Sequence, residues 1–465
     1  MMFLLAIHLL AGCTEPKIND SGVEDMASPQ AFDALTQAID SDLQAIGMPN
    51  AMFVLFQDGE ILYAKGWGTT ASGNLIDEAT RFRIGSLTKS MTAASIHAQN
   101  ISLETPVVDM VDGIDLVKSP DRIQEITMQH LLEQSAGLVD SLGSGTEGTL
   151  SNFMDTTFYD EMFIMSPPGR LWNYSDLNYV LAGYVLQEAV GESYADVVQS
   201  TLFSPLDMSR TIFDATQVME EGNWSTGIDS ETEVDARTGE YGWSAGLAWS
   251  TAADMTIFGD FILSGNTDVM TTVQHSSFVS PRISMGLIDD KVQYGNGIMH
   301  YEGISSNAGW HDIDILFHNG SLPGYGAAIY LLPEYNAGMV SLVGATGVEL
   351  PSAVMEGIRY FGLPEAIDFP TEGLALTDFS VYEGTYMDDW NVGEIVLTAT
   401  PIGLEVQMPR LDEMGVLYNK RWRPYTKHNF FTTIDGENIL VRIEMDEQGM
   451  AEFVVHRTFV GHRVE

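Results

Sequence analysis

Strand-forming segments at the two ends of the first 360 residues enclose a long helix-rich middle. Near the start, "AMFVLFQDGEILYAKGWG" consists of two apolar runs around Asp58-Gly59, a strong signal for a β-hairpin. Near residue 330, "FHNGSLPGYGAAIYLLPEYNAGMVSLVGA" again has strand character, with a turn at Pro-Glu-Tyr-Asn. Between them, "NYVLAGYVLQEAVG" has apolar residues at helical spacing and a stop at Gly191. This order predicts one α+β domain, spanning residues 30–365, whose sheet is closed by segments far apart in the chain.

From about residue 372 the pattern changes to short alternating runs. "GEIVLTAT", "GLEVQM" and "NFFTTIDGENILVRIEMDEQGMAEFVVHR" are broken by Asp-Gly, Asn and Gln-Gly turns. This is typical of an antiparallel meander that closes into a small barrel or sandwich. We therefore predict a second, all-β domain over residues 372–465, with the boundary near the Pro- and Gly-rich stretch "LPEAIDFPTEG".

The charge balance excludes one large class of partners. The chain carries 65 acidic and 21 basic side chains, for a formal net charge of −44. A field of this sign repels the phosphates of nucleic acid, so we predict no nucleic-acid partner. Hydrophobic residues make up 45% of the chain, which is typical of packed globular structure.

The first residues resemble a bacterial lipoprotein signal. An apolar run, "MMFLLAIHLLAG", ends at Cys13, the only cysteine in the chain. The sequence Leu10-Ala11-Gly12-Cys13 matches the lipobox of such signals, although no Lys or Arg precedes the run. The resemblance implies a signal peptide over 1–12, lipidation of Cys13, a polar tether over 13–29 and a protein exported to the bacterial envelope. The alternative is a buried N-terminal helix with a chance cysteine.

The stretch "FRIGSLTKSMTAASIHAQN" contains the only Ser-x-x-Lys of the chain, Ser86 and Lys89. Residues three apart lie on one face of a helix, so the two side chains can meet. A serine hydroxyl becomes a good nucleophile when a neighbouring group takes its proton. The alternative is that Ser86 caps the helix and Lys89 is solvated. A cation in the first turn of a helix is unfavourable, which argues against that alternative.

Two further motifs follow in order. Tyr174-Ser175-Asp176 precedes a helical segment, and His318-Asn319-Gly320-Ser321 opens a strand-like run. Ser-x-x-Lys, Tyr-x-Asn and then Lys-Thr-Gly or His-x-Gly is the signature of the penicillin-recognising serine hydrolases, which this chain resembles. The likeness is greatest to the class C β-lactamase branch, with its family VIII carboxylesterase, D-aminopeptidase and D,D-peptidase relatives. It covers residues 30–362 and includes "ITMQHLLEQSAGL", "PPGRLWNYSD" and "SAGLAWSTAADM".

The resemblance implies a β-lactamase/transpeptidase-like fold with an antiparallel sheet and a helical subdomain. It also implies that Ser86 is acylated, that Lys89 is its proton-relay partner, and that Tyr174 is the general base that later protonates the leaving group. A phenol has an ordinary pKa near 10, so we expect the Lys89 cation to lower the pKa of Tyr174.

On the strand, the resemblance implies three further roles. Gly320 would let the substrate approach the strand edge closely. The backbone amides of Ser86 and Ser321 would form the oxyanion hole. His318 would position the substrate and tune the tyrosine.

Asp176 departs from the family pattern, which has asparagine there. An ionised carboxylate cannot donate a hydrogen bond to a substrate carbonyl, as an amide can. Asp176 could instead pair with Lys89 and leave Tyr174 as the base. The third motif also has histidine, His318, in place of lysine, as is common among the esterase and peptidase relatives. Together the two departures weaken the case for an efficient β-lactamase, so we expect an esterase or peptidase acting on a small-molecule or peptide acyl substrate. The alternatives are a D,D-carboxypeptidase or D-aminopeptidase, and a non-hydrolytic sensor on the same fold.

Three other patterns are interpreted as structural. Gly242-Trp243-Ser244-Ala245-Gly246 fits the α/β-hydrolase elbow, but no buried strand precedes it. Tyr294-Gly295-Asn296 repeats Tyr-x-Asn too late in the order. The run "WHDIDILFHNG", with His311, Asp312, Asp314 and His318, reads as a strand edge with a surface histidine rather than a metal site. We predict no metal and no cofactor.

Overall fold

The computed structural model describes residues 32–141, 148–229, 232–233, 239–287, 290–368 and 378–464. The predicted signal peptide, the tether and Cys13 lie outside the described residues. So does the stretch 369–377, which contains the end of the predicted domain boundary.

Fourteen α-helices lie in the described ranges. They are α1 Asp33–Ala45, α2 Thr88–Ala98, α3 Val107–Met110, α4 Met128–Leu132, α5 Leu150–Phe153, α6 Tyr159–Glu161, α7 Asp176–Val190, α8 Tyr194–Val198, α9 Ala215–Glu221, α10 Trp243–Gly246, α11 Ala252–Ser264, α12 Thr272–Phe278, α13 Pro351–Phe361 and α14 Pro409–Met414. Short 3₁₀ helices include Gly85–Leu87, directly before α2, and Glu240–Gly242, directly before α10. Most of the helices lie between residues 88 and 278, in the predicted helix-rich middle.

The main sheet has eight antiparallel strands. They are β1 Ala51–Gln57, β2 Glu60–Trp67, β3 Ile283–Leu287, β4 Val292–Gly295, β5 Ile298–Tyr301, β6 Ile315–Leu322, β7 Tyr325–Leu332 and β8 Ala337–Val343. The spatial order is β2-β1-β8-β7-β6-β5-β4-β3. Because β1 pairs with β8, almost 300 residues later, the sheet is closed by distant segments as the sequence predicted. Minor strand pairs join Phe82–Arg83 to Trp249–Ser250, Ile228–Asp229 to Thr232–Glu233, and Ile304–Ser306 to Gly309–His311.

The turns of this sheet follow the local sequence. Asp58 and Gly59, between β1 and β2, both have positive φ, which is the geometry of the tight hairpin that Asp-Gly predicts. Pro333–Tyr335 forms a 3₁₀ turn between β7 and β8, and it ends at Asn336 in the left-handed conformation. Gly191, also left-handed, ends α7.

Helices cover both faces of the sheet. In β1, Phe53 and Leu55 belong to a core cluster shared with α1 and α13. Val54 and Phe56 point the other way, into the larger cluster formed with the helical middle. The strand is therefore buried on both faces, which explains its unbroken apolar sequence.

The C-terminal region is a closed barrel of eight antiparallel strands. They are β9 Gly384–Asp388, β10 Gly393–Thr400, β11 Gly403–Gln407, β12 Arg421–Thr426, β13 Asn429–Ile434, β14 Glu437–Met445, β15 Ala451–His456 and β16 Phe459–Arg463. Pairing of Tyr386 with Arg463 closes the barrel. The predicted all-β domain is confirmed. Of the two predicted architectures, barrel and sandwich, the structure shows the barrel.

The barrel packs directly against the helical side of the first domain. In β15, Val454 faces the barrel core, whereas Phe453 and Val455 belong to the large core cluster of the first domain. Val460 of β16 joins that same cluster. The last hairpin of the barrel is thus held against the other domain by shared apolar burial. Within the described ranges, none of the helices has the length and hydropathy that a membrane span requires.

Candidate active site

Ser86 lies on the turn that leads into α2. It is the middle residue of the 3₁₀ helix Gly85–Leu87 and is 7% exposed. Neither this helix nor α2 is capped by a side chain, so the helix-cap interpretation of Ser86 is wrong. The hydroxyl oxygen instead accepts hydrogen bonds from Lys89 Nζ, at 3.0 Å, and from the Tyr174 hydroxyl, at 2.8 Å.

Two glycines let this turn pack against β6. Gly85 has φ of +54°, and a methyl group there would lie 2.7 Å from the amide nitrogen of Ser321. A methyl group on Gly320 would lie 1.9 Å from the carbonyl oxygen of Ile84. The sequence predicted that Gly320 lets substrate approach the strand. In the structure, the missing side chain instead makes room for the backbone of the turn that carries Ser86. Beyond Phe317, where the pairing with β5 ends, the edge of β6 faces that turn.

Lys89 is fully buried, and its ammonium group has three acceptors. Nζ donates to Ser86 Oγ, to Asp176 Oδ1 at 2.6 Å and to the carbonyl oxygen of Ala245 at 2.5 Å. An ammonium group carries three protons, so each of them has a partner. The ion pair predicted between Lys89 and Asp176 is present, and the short helix α10 supplies the third contact.

Asp176 is the first residue of α7, where the helix dipole favours negative charge. Ser175 caps this helix, because its hydroxyl accepts from the amide of Leu177. Burial raises the pKa of Asp176, but the Lys89 ammonium and then the Arg457 guanidinium outweigh that effect and hold the pKa below its ordinary value. The carboxylate is therefore ionised, and 35% of the side chain remains exposed.

Tyr174 is buried, and two cations lie over its aromatic ring. Lys89 Nζ lies 5.0 Å from the ring centroid, and the guanidinium carbon of Arg457 lies 5.2 Å from it. Burial and then the charge of Asp176 nevertheless raise the pKa of Tyr174 well above its ordinary value. The expected lowering of this pKa is therefore wrong, because burial of the phenol, and then the negative charge of Asp176, raise it.

His318 lies in β6, behind the site. Its Nδ1 donates to the carbonyl oxygen of Asn319 at 2.6 Å, so Nε2 accepts from the hydroxyl of Tyr294 at 3.2 Å. Burial, followed by the charge of Lys89, lowers the pKa of His318 to about 3. The histidine is therefore neutral at physiological pH. The Asn319 carbonyl thus fixes the tautomer, and Tyr294, interpreted from the sequence as structural, donates to the remaining ring nitrogen.

The elbow and metal patterns do not form sites in the described residues. Ser244 is buried and follows the 3₁₀ helix Glu240–Gly242 rather than a strand, which rules out the elbow geometry. His311 was predicted to be a surface histidine but is buried, and it contacts Ser306 Oγ and the carbonyl oxygen of Pro364. Among the described residues, no group of three His, Cys, Asp or Glu side chains is arranged to hold a metal.

Two functional candidates escaped the sequence analysis, Asp140 and Arg457. Asp140 Oδ1 accepts from the backbone amide of Asp176 at 3.0 Å, and its Oδ2 accepts from Arg457 Nε at 2.5 Å. Arg457 lies in the turn between β15 and β16 of the barrel. No motif marks either residue. Only the scarcity of basic residues, 21 in the whole chain, singles out an arginine in a turn as unusual.

A family model described as Beta-lactamase matches residues 35–352. Protein flp of Staphylococcus aureus (strain NCTC 8325 / PS 47) is 24% identical over 347 residues, which cover 70% of this chain and 65% of that protein. Unguisins hydrolase ungD of Aspergillus violaceofuscus is 22% identical over 325 residues, covering 62% of this chain and 57% of that protein. The chain thus spans less than two thirds of the length of either relative.

Solved structures show the same fold at lower identity. SurE has a TM-score of 0.69 at 18% identity, with 94% of this chain and 99% of SurE covered. The octameric penicillin-binding protein homologue from Pyrococcus abyssi has a TM-score of 0.59 at 18% identity, with coverage of 92% and 98%. A class C beta lactamase from Rhodobacter sphaeroides has a TM-score of 0.59 at 19% identity and covers 71% of this chain, with 99% of its own covered.

The family model spans more than half of the chain, and the fold agrees with it. The chain belongs to the Beta-lactamase family, among the penicillin-recognising serine hydrolases.

Proposed function

We propose that this protein is a serine hydrolase that forms a covalent acyl-enzyme at Ser86, with an esterase or peptidase-like activity. The observation that carries the proposal is the Ser86 hydroxyl, which lies within hydrogen-bond distance of both Lys89 and Tyr174. A serine positioned between two groups that can exchange protons is the arrangement required for nucleophilic catalysis. The acyl group would come from an ester, amide or lactam carbonyl.

Because the pKa of Tyr174 is raised, the resting phenol is protonated, and the reactive form is the minor fraction that has lost this proton to solvent. In acylation by that form, Ser86 Oγ attacks the carbonyl carbon and its proton passes to the phenolate oxygen of Tyr174, 2.8 Å away. Collapse of the tetrahedral intermediate breaks the bond to the leaving group, which takes that proton from Tyr174. In deacylation, water attacks the acyl carbon and gives a proton to Tyr174, which returns it to Ser86 Oγ as the acid leaves. Lys89 keeps its three partners and stabilises the negative charge on the phenol during both steps.

The oxyanion would be bound by the backbone amides of Ser86 and Ser321. Their nearness is supported by the contact between the Ser86 turn and the edge of β6, which depends on Gly85 and Gly320. Two preorganised amides at this position would stabilise the developing charge, and a single oxyanion donor is typically worth about 10²–10³ in kcat.

Asp176 supports an ester or peptide substrate over a β-lactam. It replaces the side-chain amide donor with an ionised acceptor, so one substrate contact of the family pattern is lost. The nucleophile, its partners and the proposed oxyanion amides remain. A D,D-carboxypeptidase or D-aminopeptidase is the second candidate, and a non-hydrolytic sensor is the third, favoured by the high pKa of Tyr174 in the resting site.

The test compares wild-type protein with Ser86→Ala, using p-nitrophenyl butyrate as substrate. Ser244→Ala is the matched control, because it removes a buried hydroxyl from the same neighbourhood whose oxygen has no hydrogen-bond partner. We expect complete loss of hydrolysis in Ser86→Ala and near wild-type rates in Ser244→Ala. Equal activity of Ser86→Ala and wild type would overturn the proposal.

Two further assays separate the candidates. Hydrolysis of peptides ending in D-Ala-D-Ala would favour the peptidase. Labelling of Ser86 by a fluorescent penicillin that persists for hours, without ester turnover, would favour the sensor.

We also propose that the protein is exported and held at the bacterial envelope by lipid on Cys13, without a membrane-spanning helix. The lipobox Leu10-Ala11-Gly12-Cys13 supports this proposal. The test is incorporation of radiolabelled palmitate by cells that express the full-length protein. Incorporation that is equal in wild type and Cys13→Ser would overturn it.

A further inference from the structure

The last hairpin of the barrel reaches the segment that carries Tyr174. Arg442 of β14 donates to the carbonyl oxygen of Trp172 at 2.7 Å, and the Asn173 side chain donates to the carbonyl oxygen of His456 at 3.4 Å. Arg457, the next residue of the barrel, forms the ion pair with Asp140. The barrel therefore contacts the residues directly before Tyr174.

Arg457 bridges the two domains at the base of α7. Its guanidinium lies over the ring of Tyr174 and pairs with Asp140, whose other oxygen accepts the amide of Asp176. The side chain of Arg457 is 24% exposed and that of Asp140 is 10% exposed. An ion pair so far removed from water gains little net stability, because the desolvation of both charges offsets their attraction. The position of the pair points to a role other than simple adhesion of the domains.

We propose that Arg457 is a positioning residue of the active site, supplied by the barrel, which fixes Asp140 and the start of α7 and stabilises negative charge on Tyr174 during catalysis. This inference rests on the proposed function, in which Tyr174 is the base. It assigns to the barrel a part in catalysis, although the catalytic motifs all lie in the other domain.

The charges around Tyr174 explain why such a cation is needed. The groups that face it are Lys89 from α2, Asp176 from α7, Asp140 from the loop after α4, Arg457 from the barrel, and the phenols of Tyr179 and Tyr294. The neutral His318 lies next to Tyr294. Two cations are matched by two carboxylates. Burial and Asp176 raise the pKa of Tyr174, while the Ser86 hydrogen bond and Arg457 act in the opposite direction. Without Arg457, the charged groups around the phenol would be one cation and two carboxylates, with a net negative charge.

The experiment measures kcat and KM for p-nitrophenyl butyrate against pH in the full-length protein and two variants at this position. We expect Arg457→Gln to lower kcat about 10- to 100-fold at pH 7 and to move the ascending limb of the kcat/KM profile to higher pH. Arg457→Lys keeps the charge, so it should recover part of both effects. A change in KM alone, or an unshifted limb, would overturn the inference.

Two controls separate catalysis from folding. Arg170→Gln breaks another ion pair between the domains, with Glu452, whose side chains are 41% and 38% exposed and whose charges do not act on the pKa of Tyr174. It should leave both kcat and the ascending limb of the kcat/KM profile unchanged. Asp140→Asn keeps an acceptor for the Asp176 amide but removes a negative charge, so the limb should move to lower pH. A limb that Asp140→Asn moves to higher pH would overturn the inference even if Arg457→Gln does not fold.

The outcome is also distinguishable from failure of the proposed function. If Ser86→Ala stays active, the serine hydrolase proposal fails whatever Arg457 does. If Ser86→Ala is inactive and Arg457→Gln behaves like Arg170→Gln, the hydrolase stands and only the role of the barrel is lost.

Discussion

Two ion pairs flank Tyr174, and they differ in where their residues come from. Lys89 and Asp176 both belong to motifs of the first domain, whereas Arg457 comes from the barrel and Asp140 from an unmarked loop. Each cation lies about equally far from the phenol ring, at 5.0 and 5.2 Å. The amide of Asp176, which donates to Asp140, joins the two pairs. The two ion pairs thus place similar charges beside Tyr174, but the Lys89–Asp176 pair consists of motif residues of one domain and the Arg457–Asp140 pair joins two domains.

The two cations also differ in burial and in their contact with Ser86. Lys89 is completely buried and contacts Ser86, the proposed nucleophile, directly. Arg457 keeps some exposure and lies over the ring of Tyr174, whose hydroxyl in turn donates to Ser86. The comparison therefore predicts that loss of Lys89 affects catalysis far more than loss of Arg457, and that removal of either carboxylate acts in the opposite direction to removal of a cation.

The largest effect is expected for Lys89→Ala. The variant removes a hydrogen bond to Ser86 and a cation beside Tyr174, so we expect kcat/KM to fall by about 10⁴ or more. Steady-state hydrolysis of p-nitrophenyl butyrate measures the loss.

A control is needed because Lys89→Ala leaves the Asp176 carboxylate without its cation, which destabilises the fold. The double variant Lys89→Ala/Asp176→Asn removes that unpaired charge and should recover thermal stability without recovering activity. A smaller loss from Lys89→Ala than from Arg457→Gln would reverse the comparison.

Tyr174→Phe tests the group between the two pairs. It keeps the ring on which both cations lie but removes the hydroxyl bonded to Ser86, so we expect kcat/KM to fall by about 10²–10³. Single-turnover kinetics with the same ester would locate the loss in acylation. Near-full activity would show that Lys89 and not Tyr174 takes the serine proton.

Asp176→Asn should change the pH profile more than the rate. In the resting site the charge of Asp176, after burial, raises the pKa of Tyr174. Its removal lowers that pKa, so the ionised phenol is present at lower pH and the ascending limb of kcat/KM moves towards acid. At pH 7 we expect a change of less than about tenfold, in either direction. Displacement of the ascending limb towards alkaline pH would contradict the balance of two cations and two carboxylates around Tyr174.

The sequence predicted which residues of the three family motifs come together in the site. Ser86, Lys89, Tyr174 and Asp176 lie together because a helical three-residue spacing and the start of α7 place them, and both features are local. The pairing of Lys89 with Asp176 also followed from the chemistry of an asparagine replaced by an acid. The direction of the Tyr174 pKa shift did not, because burial of the phenol depends on packing by distant segments.

The contribution of the barrel to the site could not be predicted from the sequence. The barrel was recognisable from its alternating strands, but the alternation of β15 gives no sign that Phe453 and Val455 face another domain. The position of Arg457 depends on that packing. Similarly, Gly320 was expected to make room for substrate, and only the three-dimensional contact with Ile84 shows what the missing side chain admits.

His318 provides the smallest expected effect and tests whether the site has a third cation. The family pattern has a lysine or histidine here, and a charged group would add to Lys89 and Arg457. Burial and then the charge of Lys89 lower the pKa of His318 to about 3, below the ordinary value of 6.5. The folded protein therefore binds no proton at His318 between pH 6.5 and about 4, whereas the unfolded chain does.

Two measurements follow from this difference. The ¹⁵N chemical shifts of the His318 ring should stay those of the neutral Nδ1–H tautomer from pH 8 to about 4, and kcat/KM should show no step near pH 6.5 that His318→Gln removes. Stability is expected to fall as pH drops through this window, because proton binding to the unfolded state becomes favourable first. A titration near pH 6.5 would mean that His318 is a third cation, and the equality of two cations and two carboxylates around Tyr174 would no longer hold.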